Sequence, residues 1–422
     1  MSSMLNKISL LLQVLLIGGA CLGQPQQMSL DSILNVVQQA NPLGRMFDND
    51  IRSMDEAAKG ARSWMAPEVG TGFWMAPYNT GLWRKQPDGM SGMGQYMVSV
   101  QQMIPNPGTL DANAAYMNAM SSVAKERKKA SLNELYAAAK KSYYEWIVLK
   151  KKADVIDRDE QLLQFMIRNA EIRYKNGMDK LSAYYKAKAA LGNLANMRKM
   201  VDNEIKQRQI ALNTLMNRDK PKAFDIDTTY AVKDYAALVA DSNLLVMTRS
   251  DVRAIDKDIA LTGLQQKAEL ARLKPEFGIR YEHMFGFGGL PQQFTLMGMV
   301  RIPFARWSSK MNKANAESLK WKAASLGQQR QMVINEASGM AYGMQAEIAT
   351  KKDQVALFEN NIIPALQRNY ETMQLGYEQN TEELFMLLDA WETLNMTQLT
   401  YLDQLQELLR MQVELEKILE IR

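Results

Sequence analysis

Two pairs of short stretches with two-residue alternation, one pair in each half of the chain, restrict its fold more than anything else in the sequence. In residues 276–285, Phe277, Ile279, Tyr281 and Phe285 fall on one face and Glu276, Gly278, Arg280 and Glu282 on the other, the pattern of a strand with one apolar and one polar side. Residues 294–304 repeat it, with Phe294, Leu296, Val300, Ile302 and Phe304 opposite Thr295, Met297, Met299 and Arg301. Earlier in the chain Val69, Thr71, Phe73 and Met75, then Tyr96, Val98, Val100 and Ile104, alternate more loosely. Gly286, Gly288, Gly289 and Pro291 separate the members of the later pair, and Asn79, Gly81, Pro87, Asp88 and Gly89 those of the earlier one. Each pair therefore reads as a hairpin, at about 67–104 and about 275–304. Each segment has about 10 residues, the length a tilted strand needs to cross a bilayer.

Four strands cannot close into a barrel, and an open edge in hydrocarbon leaves backbone groups without hydrogen-bond partners. Single-chain membrane barrels begin at about eight strands, so these hairpins have to be pooled among subunits. Two copies would give eight strands and an interior filled by side chains, whereas three give twelve and leave room for water. The polar inner faces favour three, a homotrimer seated in membrane lipid.

The rest of the chain is helical in character and duplicated. Ala57-Ala58-Lys59-Gly60-Ala61-Arg62 leading to Pro67-Glu68-Val69-Gly70 is echoed by Gln266-Lys267-Ala268-Glu269-Leu270-Ala271-Arg272 leading to Pro275-Glu276-Phe277-Gly278. Ile104-Pro105 is echoed by Ile302-Pro303, and Tyr174-Lys175-Asn176-Gly177 by Tyr377-Glu378-Gln379-Asn380. The expected layout is a first repeat over 24–220, a linker over 221–247 and a second repeat over 248–422, each running helix, hairpin, long helices. No proline occurs between Pro107 and Pro221, and that stretch is rich in helix formers. Leu384 with Trp391, Leu387 with Leu394, and Leu402 with Leu409 stand seven residues apart, the spacing of helices packed side by side as coiled coils. Such helices predict an elongated molecule that projects beyond a membrane.

Composition removes other classes. Lys+Arg 51 against Asp+Glu 46 leaves a net charge of +5, with the signs interleaved, so nucleic acid is not an expected partner. The only cysteine is Cys21 and the only histidine His283, too few for a thiol-histidine pair or a zinc site within one mature chain. No enzyme activity and no cofactor are expected. Lys7 followed by the apolar run 8–20 reads as a secretory signal over 1–23. Cys21 is either removed with it or kept as a lipid-modified N-terminus; Gly18, where a lipoprotein signal favours leucine, speaks for removal.

In order and motifs the chain is similar to the TolC family of outer-membrane efflux proteins. The likeness rests on the duplication, on the two strand pairs ending at Ile104-Pro105 and Ile302-Pro303, and on the turn segments Arg173-Tyr174-Lys175-Asn176-Gly177 and Tyr377-Glu378-Gln379-Asn380-Thr381. It implies a mainly α fold with membrane β: a tunnel of long coiled-coil helices, plus four strands per chain pooled into a twelve-stranded trimeric barrel in the outer membrane. It also implies a periplasmic adaptor and an inner-membrane pump of the RND or ABC type as partners, and passive export through the channel. By position, Arg173, Tyr174, Gly177, Leu181, Tyr377, Asn380, Thr381 and Leu384 would lie at the periplasmic tip where the adaptor docks. Glu382, Met386 and Asp389 would line the constriction. Family members often carry two acidic residues three apart just past the second turn. Here Met386 holds the first position and Asp389 the second, while Glu382 stands where some members have a basic residue.

Several residues admit two accounts. The 30 methionines include Met97, Met103, Met297 and Met299 on the polar strand faces; thioethers suit Cu(I) or Ag(I), but methionine also fills gaps in helical cores. Asp389 is a gate charge or a solvated helical one. His283 belongs among outward aromatics at a membrane interface rather than in a ligand set. Trp64, Trp74, Trp83 and Trp307 cluster around the strands as an aromatic girdle would, or as packing residues would. The glycines at 286–289 suit a hairpin loop rather than a phosphate loop, because a strand follows them. The rival class is a secreted coiled-coil structural or interaction protein without channel activity, which leaves the paired alternating strands unexplained.

Overall fold

The computed structural model describes residues 27–178, 180–235, 242–303 and 305–421. The expected signal with Cys21, and Phe304, lie outside the described residues. In chain order the elements are β1 (Gln27–Met28), α1 (Leu30–Ala40), α2 (Pro42–Lys59), β2 (Glu68–Trp74), β3 (Gln95–Ile104), α3 (Pro107–Lys175), α4 (Leu181–Leu215) and β4 (Asp225–Ile226). There follow α5 (Ser242–Thr248), α6 (Ser250–Ala271), β5 (Glu276–Gly286), β6 (Gln293–Arg301), α7 (Arg306–Leu357), α8 (Ile363–Glu378) and α9 (Leu384–Leu419). The chain divides into two compact units, one drawn from the described parts of 1–44, 131–240 and 339–422, the other from Arg45–Ala130 and Asp241–Ser338. No helix among the described residues is long and apolar enough to cross a membrane.

The long helices form where the sequence supplies starts and stops. α3 opens on Pro107, whose missing N–H suits the first helical position, and Asn106 Oδ1 accepts from Gly108 N at 2.9 Å, satisfying a donor the helix itself cannot. It runs for 69 residues and closes with Arg173 and Lys175 in its last turn, cations favoured at the carbonyl end. Gly177 then takes a left-handed φ of 73°, which reverses the chain without a Cβ clash.

One break lies inside the second long helical region. Pro364, at the start of α8, has no N–H for the preceding turn, and the backbone widens there into a π turn over Phe358–Ile362 in which Ile363 N bonds Phe358 O. The wider turn absorbs the ring that would otherwise strike the carbonyl four residues back.

In the first unit, α3, α4, α8 and α9 share one apolar seam. Leu384, Leu387, Trp391 and Leu394 of α9 are buried against Ile156, Leu163 and Met166 of α3, Ala183 and Ala187 of α4, and Tyr377 of α8. Leu402 and Leu409 continue the seam. All six residues singled out by seven-residue spacing are thus core residues. A second core gathers Ile33 and Val37 of α1 with Trp146 and Ile147 of α3, Leu212 of α4, and Phe224 and Ile226. There β1 and β4 pair in parallel, Met28 opposite Ile226.

A buried ion cluster crosses this unit. Glu416 on α9, 5% exposed, meets Lys140 of α3 and Lys233, each at 2.5 Å, and accepts from the Tyr235 hydroxyl at 2.7 Å. Burial works against its charge, but the two ammonium groups and the hydroxyl outweigh that and hold the carboxyl below its usual range.

The second unit contains the sheet, in the order β2-β3-β5-β6, antiparallel throughout. Each expected hairpin is present, and the two are joined by the ten-residue ladder between β3 and β5.

Candidate functional site

The sheet turns its apolar side to the surroundings. Its register places Val69, Val100, Tyr281 and Leu296 side by side, and Thr71, Val98, His283 and Phe294 in the next row. Val69 is 70% exposed, Phe294 68% and Leu296 66%. On the other face the matching rows are Glu68, Gln101, Arg280 and Met297, then Gly70, Ser99, Glu282 and Thr295. Here Glu282 is only 7% exposed and pairs with Arg280 at 2.5 Å. A water-soluble sheet would cover its greasy side; this one exposes it and buries the middle of its polar side at Ser99, Gly278 and Glu282. Such an exposed apolar face marks a contact with lipid or with another protein.

β2 and β6 are the outer strands of the four-stranded sheet, so their outer backbone groups have no strand beside them within it. The two hairpin loops are tied together at one end of the sheet. Gly92 N bonds Gly288 O at 2.9 Å and Phe287 N bonds Gly94 O at 3.0 Å, while the Trp83 and Phe287 rings stack at 4.9 Å. A side chain on Gly92 would run into Trp83 O, so the close approach of the loops requires glycine there. His283 lies edge-on to Phe285 at 4.4 Å on the apolar face. Trp64, Trp74 and Trp307 are exposed and Trp83 is half-buried.

The helix turns form the second place of interest, within the first unit. Arg173 lies over the Tyr377 ring at 4.3 Å and donates to Tyr377 O at 3.3 Å, which ties the end of α3 to the end of α8. Thr381 N reaches back to Gly376 O at 2.8 Å, and Asn380 adopts a left-handed φ of 62°. Tyr377 and Leu384 are buried, whereas Tyr174, Gly177, Leu181, Asn380 and Thr381 are exposed. Glu382 is half-buried before α9, and Met386 and Asp389, one turn apart on α9, are both exposed.

Sequence reasoning missed the contacts that join the two turns. Lys180 Nζ lies 3.1 Å from Glu383, and Lys186 sits 4.0 Å from the Phe385 ring. A signal existed: Lys180 and Glu383 are related by the same offset as Tyr174 and Tyr377, so the duplication places opposite charges at matching positions.

Deeper in this seam Asp159 of α3 accepts a hydrogen bond from Asn395 of α9, and burial, opposed by that bond, raises its pKa. An acid whose folded pKa is raised disfavours the folded state above the ordinary carboxylate range, and the penalty fades as pH falls through the raised value. Asp159→Asn is therefore expected to raise the melting temperature by on the order of 2 °C in mildly alkaline buffer. The gain should shrink on acidification, which paired thermal scans would show.

The fold, an antiparallel four-stranded sheet with an exposed apolar side together with long paired helices, is similar to that of solved outer-membrane channels of the TolC type. Among solved structures, the outer membrane protein VceC from Vibrio cholerae matches with TM-score 0.71 and 15% identity, covering 92% of this chain and 95% of that one. The CmeC outer membrane channel of Campylobacter jejuni matches with TM-score 0.70 and 11% identity, covering 95% and 90%. CusC, a protein solved in states that accompany folding and transmembrane channel formation, matches with TM-score 0.72 and 14% identity, covering 92% and 91%. No protein-family profile and no curated protein matches the sequence.

Proposed function

We propose that this chain is one subunit of a homotrimeric outer-membrane channel for export. The carrying observation is the inverted burial of the sheet: apolar rows exposed, Glu282 and Ser99 covered. Lipid accepts such a face only if β2 and β6 find partners, because each backbone group left unpaired in hydrocarbon costs several kcal/mol. Sister subunits supply them, and three copies make twelve strands around a water-filled lumen. The solved channels that share the fold support this reading.

The channel does no covalent chemistry. Energy enters at an inner-membrane pump, of the RND or ABC type, and a periplasmic adaptor couples pump to channel at the helix turns. Exposed Tyr174, Gly177, Leu181, Asn380 and Thr381 offer the docking surface, with Arg173, Tyr377 and Leu384 holding it in shape. Met386, Asp389 and Glu382 line the constriction, where three copies of Asp389 would favour cations. Opening is a shift of packed helices between two arrangements, biased by adaptor binding.

The test is fractionation of cells producing the full chain, followed by detergent gels and bilayer recording. A heat-sensitive trimer in outer membranes, with single-channel conductance, is the expected result. A soluble monomer or a filament without conductance would overturn the channel and favour the structural coiled-coil protein.

Within that channel, Arg173→Ala is expected to loosen the turn, since it removes both the stacking on Tyr377 and the bond to its carbonyl. A cation–π contact of this kind contributes about 0.5–1 kcal/mol at a partly exposed site. Faster proteolysis at the turns, with an unchanged trimer on gels, would show it.

A further inference from the structure

The methionines of the sheet are sorted by face. The four strands of this sheet contain five, Met97, Met103, Met284, Met297 and Met299, and the register sets every one of them on the polar side. The apolar side, mostly Val, Ile, Leu, Phe and Tyr with Thr71, His283, Gln102 and Gly298 among them, has none. Neither ordinary account of methionine explains this. Gap filling belongs to closed cores, and among the described residues only Met28, Met166 and Met216 are buried methionines. A lipid-facing role would put them on the other side, and the inner wall of a membrane barrel is where polar residues are expected.

Their placement is also paired. Met97 and Met284 are direct cross-strand partners, a relation that sets Cβ atoms about 4.5–5.5 Å apart. Met103 and Met299 flank Gly278 from the strands on either side. Gly278 leaves the room between them: a Cβ there would stand 2.5 Å from Met103 Sδ and 3.1 Å from Met299 Cε. Register sets the first pair side by side, and the missing side chain of Gly278 leaves the space into which the second pair reaches. All four are half-buried rather than sealed.

We propose that the lumen wall formed by these pairs binds a soft monovalent metal cation, Cu(I) or Ag(I), as cargo on its way through the pore. Uncharged, polarizable thioethers select such ions over Mg(II), Ca(II) or Zn(II). They also hold them without the fixed charge that would trap a permeating ion. The inference rests on the pooled-barrel reading above, which makes this face a lumen.

The experiment uses the purified trimer in detergent with Ag(I) as the probe, because it needs no reductant. Bound silver is measured by equilibrium dialysis and its ligands by X-ray absorption. The expected result is silver in an all-sulfur shell, with affinity reduced at least tenfold when Met97, Met284, Met103 and Met299 are replaced by leucine, a swap that nearly conserves volume. Gly278→Val, a residue suited to a strand, should split the second pair and lower the stoichiometry while the trimer persists. It carries the test if the fourfold variant fails to assemble. Equal silver binding by parent and variants, or none by the parent trimer, overturns the proposal and leaves the channel standing, with the thioethers acting as plain apolar lining. A chain that never trimerises overturns the channel reading and this inference with it, and the gel of the same sample separates the two failures.

Discussion

Arginine in place of Leu296 is expected to keep the chain out of the membrane as an oligomer, while arginine in place of its neighbour Thr295 leaves assembly intact. The two positions are adjacent in β6 but point to opposite faces. Leu296, 66% exposed, lies in a row with Val69, Val100 and Tyr281, the row assigned to hydrocarbon. A cation near the bilayer midplane of a barrel costs about 2–4 kcal/mol, and a trimer would carry three. Thr295 stands opposite Glu282 on the inner face, where a guanidinium meets water and a carboxylate. Trimer yield on unheated gels of outer-membrane fractions is the measurement. Comparable yields from both variants would mean that the exposed row does not face lipid.

The second large effect is expected at Glu416, far along α9 from the turns. Truncation to alanine should destabilise the helical unit by about 3–5 kcal/mol, because it leaves the Lys140 ammonium buried without its partner. Lys140 has a side chain only 8% exposed and meets Glu416 at 2.5 Å. Lys233 is 47% exposed in its side chain and can turn to water, so most of the cost falls on Lys140. Replacing Lys140 by methionine together with Glu416 by leucine should recover most of the loss, since a buried ion pair is often matched by apolar residues of similar volume. Denaturant unfolding of the detergent-solubilised protein would measure both, and a loss below about 1 kcal/mol for Glu416→Ala would show the cluster to be incidental. The pH sign is opposite to that of Asp159. Glu416 titrates below its usual range, so its contribution is full above the ordinary carboxylate pKa and is lost as pH falls through the lowered value.

How much of this was legible in the sequence varies by element for physical reasons. The strands were plain because one face is chemically unlike the other, and a period of two needs few residues to show itself. The observed β5 and β6 begin within a residue of the expected segments. Seven-residue spacing found six core positions of α9 for the same reason. The ladder between β3 and β5 left no local mark, since its strands lie far apart in the chain and no turn joins them. The π turn before Pro364 leaves no mark of its own in the sequence, because a proline in the first turn of a helix is also a common helix start. At the turns, duplication suggested that Tyr174 and Tyr377 are alike, but one is exposed and the other buried under Arg173. Sequence symmetry sets the backbone path, and each copy then packs against different neighbours. The Glu416 cluster joins α3, α9 and the segment before residue 236, a meeting that only the folded chain creates.

The register of the sheet also limits how this gene can change length. Because neighbouring residues of β5 or β6 face opposite media, inserting or deleting a single codon within a strand would send every later side chain of that strand to the wrong solvent. Only paired codon changes keep the facing, whereas a change in a hairpin loop outside the Gly92–Gly288 and Phe287–Gly94 contacts leaves it untouched. Length variation among descendants of this sequence should therefore be even within the strands and gather in the parts of the loops that make no such contacts.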